Sequence, residues 1–200
     1  MAFPSPPWQL YGDLWGSLFR AQPPGGPHGL YAVALVAYRP GGTLSYSELV
    51  VARRADDRGA PASGWGLALT VRDLLVDSAE SREGGRGLWG LPKELGTFTR
   101  SPGGLGPVHR TAWRVEEKRG PVLAAEFLDA SALAPRVPLR GSTRQPTGTS
   151  RVRVATIRGS ARTSPCLASW SFEPEGRLGW LAGRSPMVSF RLRDFSVAFA

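Results

Sequence analysis

Lys93 is the residue whose chemistry stands out most in this chain of 200 residues. Of its 25 lysines and arginines, only Lys93 and Lys118 are lysines, and the other 23 are arginines. Lys93 lies in segment 85–96, which reads GRGLWGLPKELG. An amine can lose its proton and attack a carbonyl group, whereas a guanidinium does neither. The strong preference for arginine elsewhere therefore makes Lys93 the candidate nucleophile.

Segment 85–96 resembles the lysine segment of the acetoacetate decarboxylase family, in which Gly-Arg and then Pro-Lys precede a Leu-Gly or Leu-Ala pair. The resemblance extends backwards to Val76-Asp77 and to Tyr46-Ser47-Glu48, which is similar to the family's Tyr-x-Glu strand. It extends more loosely to the tail between Trp170 and Phe195. Most of the chain is covered, by one specific motif and several weaker ones.

The resemblance implies a lyase that needs no cofactor, with Lys93 and Glu48 as catalytic residues and Arg86 and Trp89 as substrate-binding residues. In such chemistry a neutral amine adds to a ketone and loses water, and the resulting iminium accepts the electrons released when carbon dioxide leaves. The implied partner is a keto acid or a related oxo-compound. The plainer alternatives are a solvated strand face for Glu48, a structural ion pair for Arg86 and a core position for Trp89.

A neutral amine requires a large change in the pKa of Lys93. An ordinary lysine has a pKa of about 10.4, which must fall by about three units, at a cost of roughly 4 kcal/mol, for the amine to be neutral near pH 7. Burial among Leu88, Trp89 and Leu91 favours the uncharged form. We therefore expect Lys93 in an enclosed, largely apolar pocket.

The sequence also departs from the decarboxylase pattern. Glu94 follows Lys93 where the decarboxylase has a second lysine, and a carboxylate facing the amine would raise its pKa. Val33 stands near the position of a second pocket glutamate, and the region 11–14 offers no match for the substrate-binding arginine. These differences favour a larger, more apolar oxo-substrate over acetoacetate.

Two other classes of function remain open from the sequence. The first is a non-catalytic small-molecule-binding module that keeps the fold and pocket; an amine paired with Glu48 or Glu94 would favour it. The second is a nucleic-acid binder, which the net charge of +9 invites and which predicts a steep loss of affinity with salt. The arginines are spread along the chain and asparagine is absent, which coding bias alone would produce, so nucleic acid is disfavoured.

Composition limits other chemistry. Cys166 is the only cysteine, so no internal disulfide forms, and with only His28 and His109 a histidine-rich metal site is not expected. The longest apolar run, 30–38, is far shorter than the roughly 18 to 20 residues of a membrane span. We expect one cytoplasmic domain spanning 1–200 with no membrane partner, which can form a homo-oligomer.

Turn residues between short apolar runs predict a mostly β fold, an antiparallel barrel-like architecture with few short helices. Segments 30–38 and 44–53 should pair across the turn at 40–43. Further strands are predicted at 64–73, 108–117, 122–128, 151–159, 167–172 and 187–199. Short helical turns are expected at 93–95 and 129–133, and an exposed loop at 140–150. The Gly-x-Gly-x-x-Gly match at 85–90 lacks a preceding strand and a long following helix, so we reject nucleotide binding.

Overall fold

The computed structural model describes residues 3–55, 67–105, 107–148 and 151–200. Twelve β-strands and one α-helix are present in these ranges. In chain order they are β1 (Trp8–Ala21), β2 (Gly29–Tyr38), β3 (Ser47–Arg54), β4 (Leu67–Val76), α1 (Ala79–Trp89), β5 (Lys93–Leu95), β6 (Thr97–Leu105), β7 (Val108–Glu117), β8 (Gly120–Asp129), β9 (Arg136–Thr147), β10 (Arg151–Pro165), β11 (Leu167–Phe172) and β12 (Val188–Phe199).

Seven strands close into a barrel. Their order is β3-β2-β1-β12-β10-β9-β4, and β4 pairs with β3 to complete the ring. Most neighbours are antiparallel, but β4 runs parallel to β9 and also to the short strand β5, which extends the sheet beyond the ring. The predicted barrel-like, mostly antiparallel β fold is confirmed, with these two parallel pairs as the exception.

The predicted hairpin is also confirmed. β2 and β3 pair antiparallel from Tyr31 opposite Arg53 to Ala37 opposite Ser47. The backbone N–H of Tyr38 adds one more hydrogen bond to the carbonyl of Tyr46, at 2.8 Å. Side chains alternate across a strand, so Glu48 lies on the face that β3 turns to the barrel interior.

Two local predictions are wrong. Segment 93–95 is strand β5 and not a helical turn, because Lys93 pairs with Leu74 in a parallel ladder. Segment 140–147 belongs to strand β9 and not to an exposed loop; residues 149 and 150 lie outside the described ranges. The side chain of Gln145 is buried there and bonds both the N–H and the carbonyl of Val71, at 2.8 and 3.0 Å, across the parallel β4–β9 pair.

A second, four-stranded antiparallel sheet covers one side of the barrel, in the order β11-β8-β7-β6. Its inner face carries Trp113, Val115 and Phe127, which pack with Trp15 and Phe19 of the outer barrel wall. We refer to this apolar layer as the inter-sheet core. Cys166 is half-buried against it and burial raises the pKa of its thiol to about 11, in keeping with a structural role.

Helix α1 was not predicted from the sequence. Ser78 begins it as the N-cap, since its side chain accepts a hydrogen bond from the N–H of Ser81. Gly90 ends it in the left-handed conformation, with φ of 66°, which glycine adopts without steric cost. The helix leads directly into β5 and so determines where Lys93 enters the sheet. None of the helices in the described ranges is long and apolar enough to cross a membrane.

Candidate functional site

The position of Lys93 follows from the alternation of side chains along β5. Lys93 points into the barrel and is only 3 % exposed, whereas the next residue, Glu94, points outward. On that outer side Glu94 pairs with Arg177, which also pairs with Glu117 at 2.8 Å. Glu94 therefore does not face the amine, although it follows Lys93 directly in the sequence.

Three side chains surround the amine inside the barrel. The Lys93 Nζ donates to the Ser81 Oγ at 2.8 Å, to the Glu48 Oε2 at 3.1 Å and to the Tyr46 hydroxyl at 3.3 Å. Three acceptors match the three protons of an ammonium group. We refer to Lys93, Glu48, Tyr46, Ser81 and Tyr38 as the lysine cluster.

Tyr38 and Tyr46 hold the carboxylate of Glu48. The Tyr38 hydroxyl donates to Oε1 at 3.1 Å, and the Tyr46 hydroxyl donates to Oε2 at 3.4 Å. The two rings are tilted by 30° with centroids 4.3 Å apart, which fixes their hydroxyls on one side of Glu48. Each oxygen of this buried carboxylate thus has a donor, as a buried charge requires.

The electrostatics of the cluster favour a protonated lysine. Burial lowers the pKa of Lys93, but the charge of Glu48 and the hydrogen bonds that the ammonium donates to Glu48 and Tyr46 outweigh it and leave the pKa above its ordinary value. Burial and the charge of Glu48 raise the pKa of Tyr46 to about 12, so its hydroxyl stays protonated. The expectation of a neutral amine in an apolar pocket is wrong for this state, because polar groups meet the amine.

Helix α1 shapes the path of the lysine side chain. A Cβ atom built on Gly85 would lie 2.6 Å from Lys93 Cδ and 2.7 Å from Cε, closer than real contacts allow. Gly84, beside it, would similarly collide with the ring of Trp8 at 2.5 Å. The two glycines therefore let the helix approach the lysine stem and Trp8 closely. Ser81 lies one turn earlier on the helix and is fully buried.

Arg86 and Trp89 lie at different distances from the amine. The Arg86 Nε donates to the backbone carbonyl of Lys93 at 2.7 Å, but its side chain is exposed and borders a surface groove of about 430 Å³. Trp89 is buried and packs edge-on against Trp8 at 4.8 Å, and the Trp8 ring centroid lies 6.0 Å from Lys93 Nζ. Substrate binding by Arg86 and Trp89 stays a prediction.

Sequence reasoning singled out Lys93 and Glu48, and the structure brings their side chains together. Tyr38 and Ser81 were missed. Tyr38 is the last residue of the apolar run 30–38, and its hydroxyl at the end of that run was a usable signal. Ser78 was a possible N-cap in the sequence, and a helix that begins there has Ser81 in its first turn, where it is buried. Val33, near the position of the family's second glutamate, packs in the inter-sheet core and faces away from Lys93.

Solved structures similar to this chain share one fold. An acetoacetate decarboxylase from Legionella pneumophila is 12% identical, with 99% of this chain and 86% of that chain covered at a TM-score of 0.62. An acetoacetate decarboxylase-like enzyme from Sphingomonas wittichii RW1 is 15% identical, with 96% and 89% covered at 0.62. The chain has the acetoacetate decarboxylase-like fold.

A third similar structure is the enduracididine biosynthesis enzyme MppR, complexed with the condensation product of pyruvate and imidazole 4-carboxaldehyde. It is 18% identical, with 98% of this chain and 87% of that chain covered at a TM-score of 0.61. No protein-family model and no curated protein sequence matches this chain. The likeness to the acetoacetate decarboxylase-like fold therefore lies in three-dimensional structure, at low sequence identity.

Proposed function

We propose that this protein is an acetoacetate decarboxylase-like lyase in which Lys93 forms a Schiff base with a keto acid or a related oxo-substrate. The observation that carries the proposal is the buried amine of Lys93, held 3.1 Å from the buried carboxylate of Glu48. In this chain with two lysines, one of them lies beside an acid inside a barrel, whereas Lys118 is exposed.

Charge balance makes the ion pair compatible with this chemistry. An ammonium and a carbonyl compound give an iminium and one water molecule, and the nitrogen carries one positive charge before and after. The carboxylate of Glu48 that stabilises the ammonium of Lys93 therefore also stabilises the iminium. The raised pKa of Lys93 slows attack by its amine. At the end of the step, however, Glu48 still compensates the buried positive charge of the iminium.

Glu48 is the proposed proton carrier. Lys93 must give up one proton to become a neutral, nucleophilic amine. Glu48 is the carboxylate within hydrogen-bond reach that can accept this proton. That proton then returns to the oxygen that leaves the carbinolamine as water. Tyr38 and Tyr46 hold Glu48 in place, and both hydroxyls also donate to it while it is charged.

In the decarboxylation of a 3-keto acid, the bond to the carboxylate on the carbon next to the iminium carbon breaks, and its electron pair moves into the iminium. The products are carbon dioxide and a neutral enamine on Lys93. A proton added to the enamine carbon restores the iminium, and water then releases the ketone and the Lys93 ammonium. A related aldol or dehydration step would use the same iminium as electron acceptor.

The neighbour bound to a pyruvate-derived condensation product supports an oxo-acid as the ligand class for this fold. Lys93 would then bind the carbonyl carbon of such a compound. Among the predicted substrate-binding residues, Trp89 is buried and packs against Trp8, whose ring centroid lies 6.0 Å from the Lys93 Nζ. We propose that these rings form the apolar side of the substrate site, and that Arg86 attracts the substrate carboxylate from the outer groove.

A second candidate is a small-molecule-binding module that has lost the chemistry. The observation that favours it is the ion pair itself: three acceptors satisfy the ammonium, and its pKa lies above the ordinary value. In that case the Lys93–Glu48 pair would bind a carbonyl or carboxylate group without forming a bond to it.

Turnover of a panel of 2-keto and 3-keto acids, measured as released carbon dioxide and lost substrate, separates the two candidates. We expect turnover by the wild type and by Lys118→Arg, and none by a folded Lys93→Met protein. Binding in calorimetry without turnover or covalent adduct for any member of the panel would favour the module. Full turnover by Lys93→Arg or Lys93→Met would contradict the proposal, because neither side chain can form the imine.

A further inference from the structure

A second polar cleft of about 220 Å³ opens between the barrel and the four-stranded sheet, on the outer side of the barrel wall. It continues the inter-sheet core. Along β7 the inward-facing positions change from Val115 and Trp113 to Thr111 and His109. Because side chains of one face recur every second residue, these polar groups must face the barrel at the end where the apolar layer stops.

Arg191 forms the floor of the cleft. Its side chain is 8 % exposed, and its guanidinium lies 3.7 Å from the ring centroid of Trp15. Nη2 donates to Asp13 Oδ1 at 3.0 Å, and Nη1 donates to the carbonyls of Leu14 and Leu192 at 3.2 and 3.0 Å. Its buried Nε has no hydrogen-bond partner among the described residues.

Asp129 borders the same floor. Its side chain is 1 % exposed, and Oδ1 accepts hydrogen bonds from the N–H and the hydroxyl of Ser131. Its Oδ2 lies 3.5 Å from the Arg191 Nε and is likewise without a hydrogen-bond partner among the described residues. A buried donor and a buried acceptor thus line the cleft side by side as an ion pair, and neither atom makes a hydrogen bond within the described residues.

The rim of the cleft is positively charged. The Arg100 guanidinium lies over the rings of Trp15 and Trp113, at 5.8 and 5.6 Å, and pairs with no carboxylate in the described part of the chain. The other carboxylates of the lining are already paired, since Asp13 binds Arg191 and Asp194 binds Arg39 at 2.7 Å. The unbalanced charge that a ligand meets is therefore that of Arg100.

We propose that this cleft is a binding site for a small oxyanion that also carries a hydroxyl group. Arg100 and the Nε of Arg191 bind the anionic oxygens, and the Oδ2 of Asp129, which pairs with that Nε at 3.5 Å without a hydrogen bond, accepts one from the hydroxyl. An α-hydroxy carboxylate and a protonated phosphate both have this chemistry. A simple carboxylate lacks the hydroxyl and would leave Asp129 without a donor.

The site is independent of the Schiff-base chemistry. Trp15 and Arg191 belong to the outer face of the wall, whereas Lys93 and Glu48 point into the barrel. An experiment on the cleft therefore measures binding and not turnover, and failure to bind an oxyanion there would leave the proposed activity unaffected.

Titration calorimetry with glycolate, inorganic phosphate and acetate tests the proposal on the wild type and three single variants, Arg100→Ala, Arg114→Ala and Asp129→Asn. Arg100→Ala removes the rim cation and, because Arg100 is exposed, should leave the fold intact. Arg114→Ala is the matched control, since Arg114 is an exposed arginine of β7 that does not line the cleft.

We expect glycolate to bind the wild type about tenfold more tightly than acetate, and Arg100→Ala to weaken glycolate about tenfold, the size of one charge-assisted hydrogen bond. Arg114→Ala should bind like the wild type. Asp129→Asn should abolish the preference for glycolate over acetate. Tighter binding of phosphate than of glycolate would assign the site to phosphate.

Equal weakening by Arg100→Ala and Arg114→Ala would overturn the proposal, because the anion would then respond only to net charge. Absence of binding by glycolate and phosphate alike would also overturn it. Equal affinity for glycolate and acetate in the wild type would remove the role of Asp129.

Discussion

The inter-sheet core and the barrel interior are both buried, but they are built differently. In the inter-sheet core, Trp113, Phe127 and Val115 meet Trp15 and Phe19 in an apolar layer. The barrel interior also contains apolar side chains, among them Trp8 and Trp89, but the Lys93–Glu48 ion pair lies among them. One region is an apolar layer, and the other contains a buried charge pair.

The difference is informative because buried ion pairs are weak stabilisers. Removing two charges from water costs several kcal/mol per ion, and apolar side chains of similar volume often serve stability equally well. The inter-sheet core shows that this chain can build such an apolar layer. The retention of Lys93, Glu48 and two tyrosines in the barrel therefore supports a role in binding or chemistry.

The largest expected effect is that of Lys93→Met, which leaves the Glu48 carboxylate buried without its counter-ion. We expect the free energy of unfolding to fall by about 3–5 kcal/mol, as measured by urea denaturation. Lys118→Met, at an exposed position, should change it by no more than about 0.5 kcal/mol. A double variant Lys93→Met/Glu48→Gln should be more stable than the sum of the single changes. A loss below about 1 kcal/mol for Lys93→Met would show that the pair is not buried as described.

A change of similar size in the other region should leave the site intact. Phe127→Ala removes a fully buried ring from the inter-sheet core and should cost about 3–5 kcal/mol. The yield of any Schiff-base adduct per folded molecule should be unchanged, as measured under conditions in which the variant remains folded. Loss of the adduct in a folded Phe127→Ala protein would show that the two regions are coupled.

A smaller effect is expected where helix α1 packs on the lysine stem. Alanine normally stabilises a helix by about 1 kcal/mol relative to glycine. At Gly85 the new Cβ would collide with Lys93, so overpacking should cost about 1–3 kcal/mol. The displaced amine should also form less adduct.

Gly87→Ala is the matched control in the same helix. Its new Cβ would meet the ring of Phe3 at 3.0 Å, near the chain end, where the ring can shift. Equal stability and equal adduct yield in Gly85→Ala and Gly87→Ala would contradict the close packing of the helix on Lys93.

The smallest expected change, and a distinct one, is in the reactivity of Lys93 when Glu48 is replaced by glutamine. The charge of Glu48 raises the pKa of Lys93, while burial lowers it. Without that charge, burial dominates, so the amine should become neutral at a lower pH. We expect the rate of adduct formation, measured from about pH 6 to pH 10, to rise at a pH at least about one unit lower than in the wild type, whose amine stays mostly protonated through this range. The maximal rate should fall, because the iminium loses its counter-ion. An unchanged pH profile would remove Glu48 from the proposed mechanism.

Much of the barrel could be predicted from short apolar runs and turn residues. Strands 108–117 and 167–172 have the predicted boundaries, and the 30–38 hairpin pairs as expected. Strand β1 was missed because Gly12 and Gly16 interrupt its pattern. Gly12 is required where a Cβ would lie 2.2 Å from the carbonyl oxygen of Ala37, a contact that no local pattern reveals.

The candidate site could be predicted only where a motif marked it. Lys93 and Glu48 belong to segments with recognisable residue types, but Ser81 depends on helix α1. That helix was hidden by Gly84 and Gly85, which have low helix propensity and are needed there for close packing against Trp8 and Lys93. The direction of the pKa shift of Lys93 could not be predicted from the sequence, because it depends on how close Glu48 and Tyr46 come to the amine. Such distances arise from the sheet, because β3 and β5 lie on the two sides of β4 and pair with it.

Borohydride reduction in the presence of keto acids, followed by peptide mass mapping, tests the central claim most directly. The two lysines provide an internal comparison, since Lys93 is buried beside Glu48 and Lys118 is exposed. We expect a reduced adduct on the peptide that contains Lys93, none on the peptide that contains Lys118, and loss of the adduct in Lys93→Met. An adduct confined to Lys118 or the N-terminal amine, or no adduct on Lys93 with any substrate that the protein turns over, would contradict it.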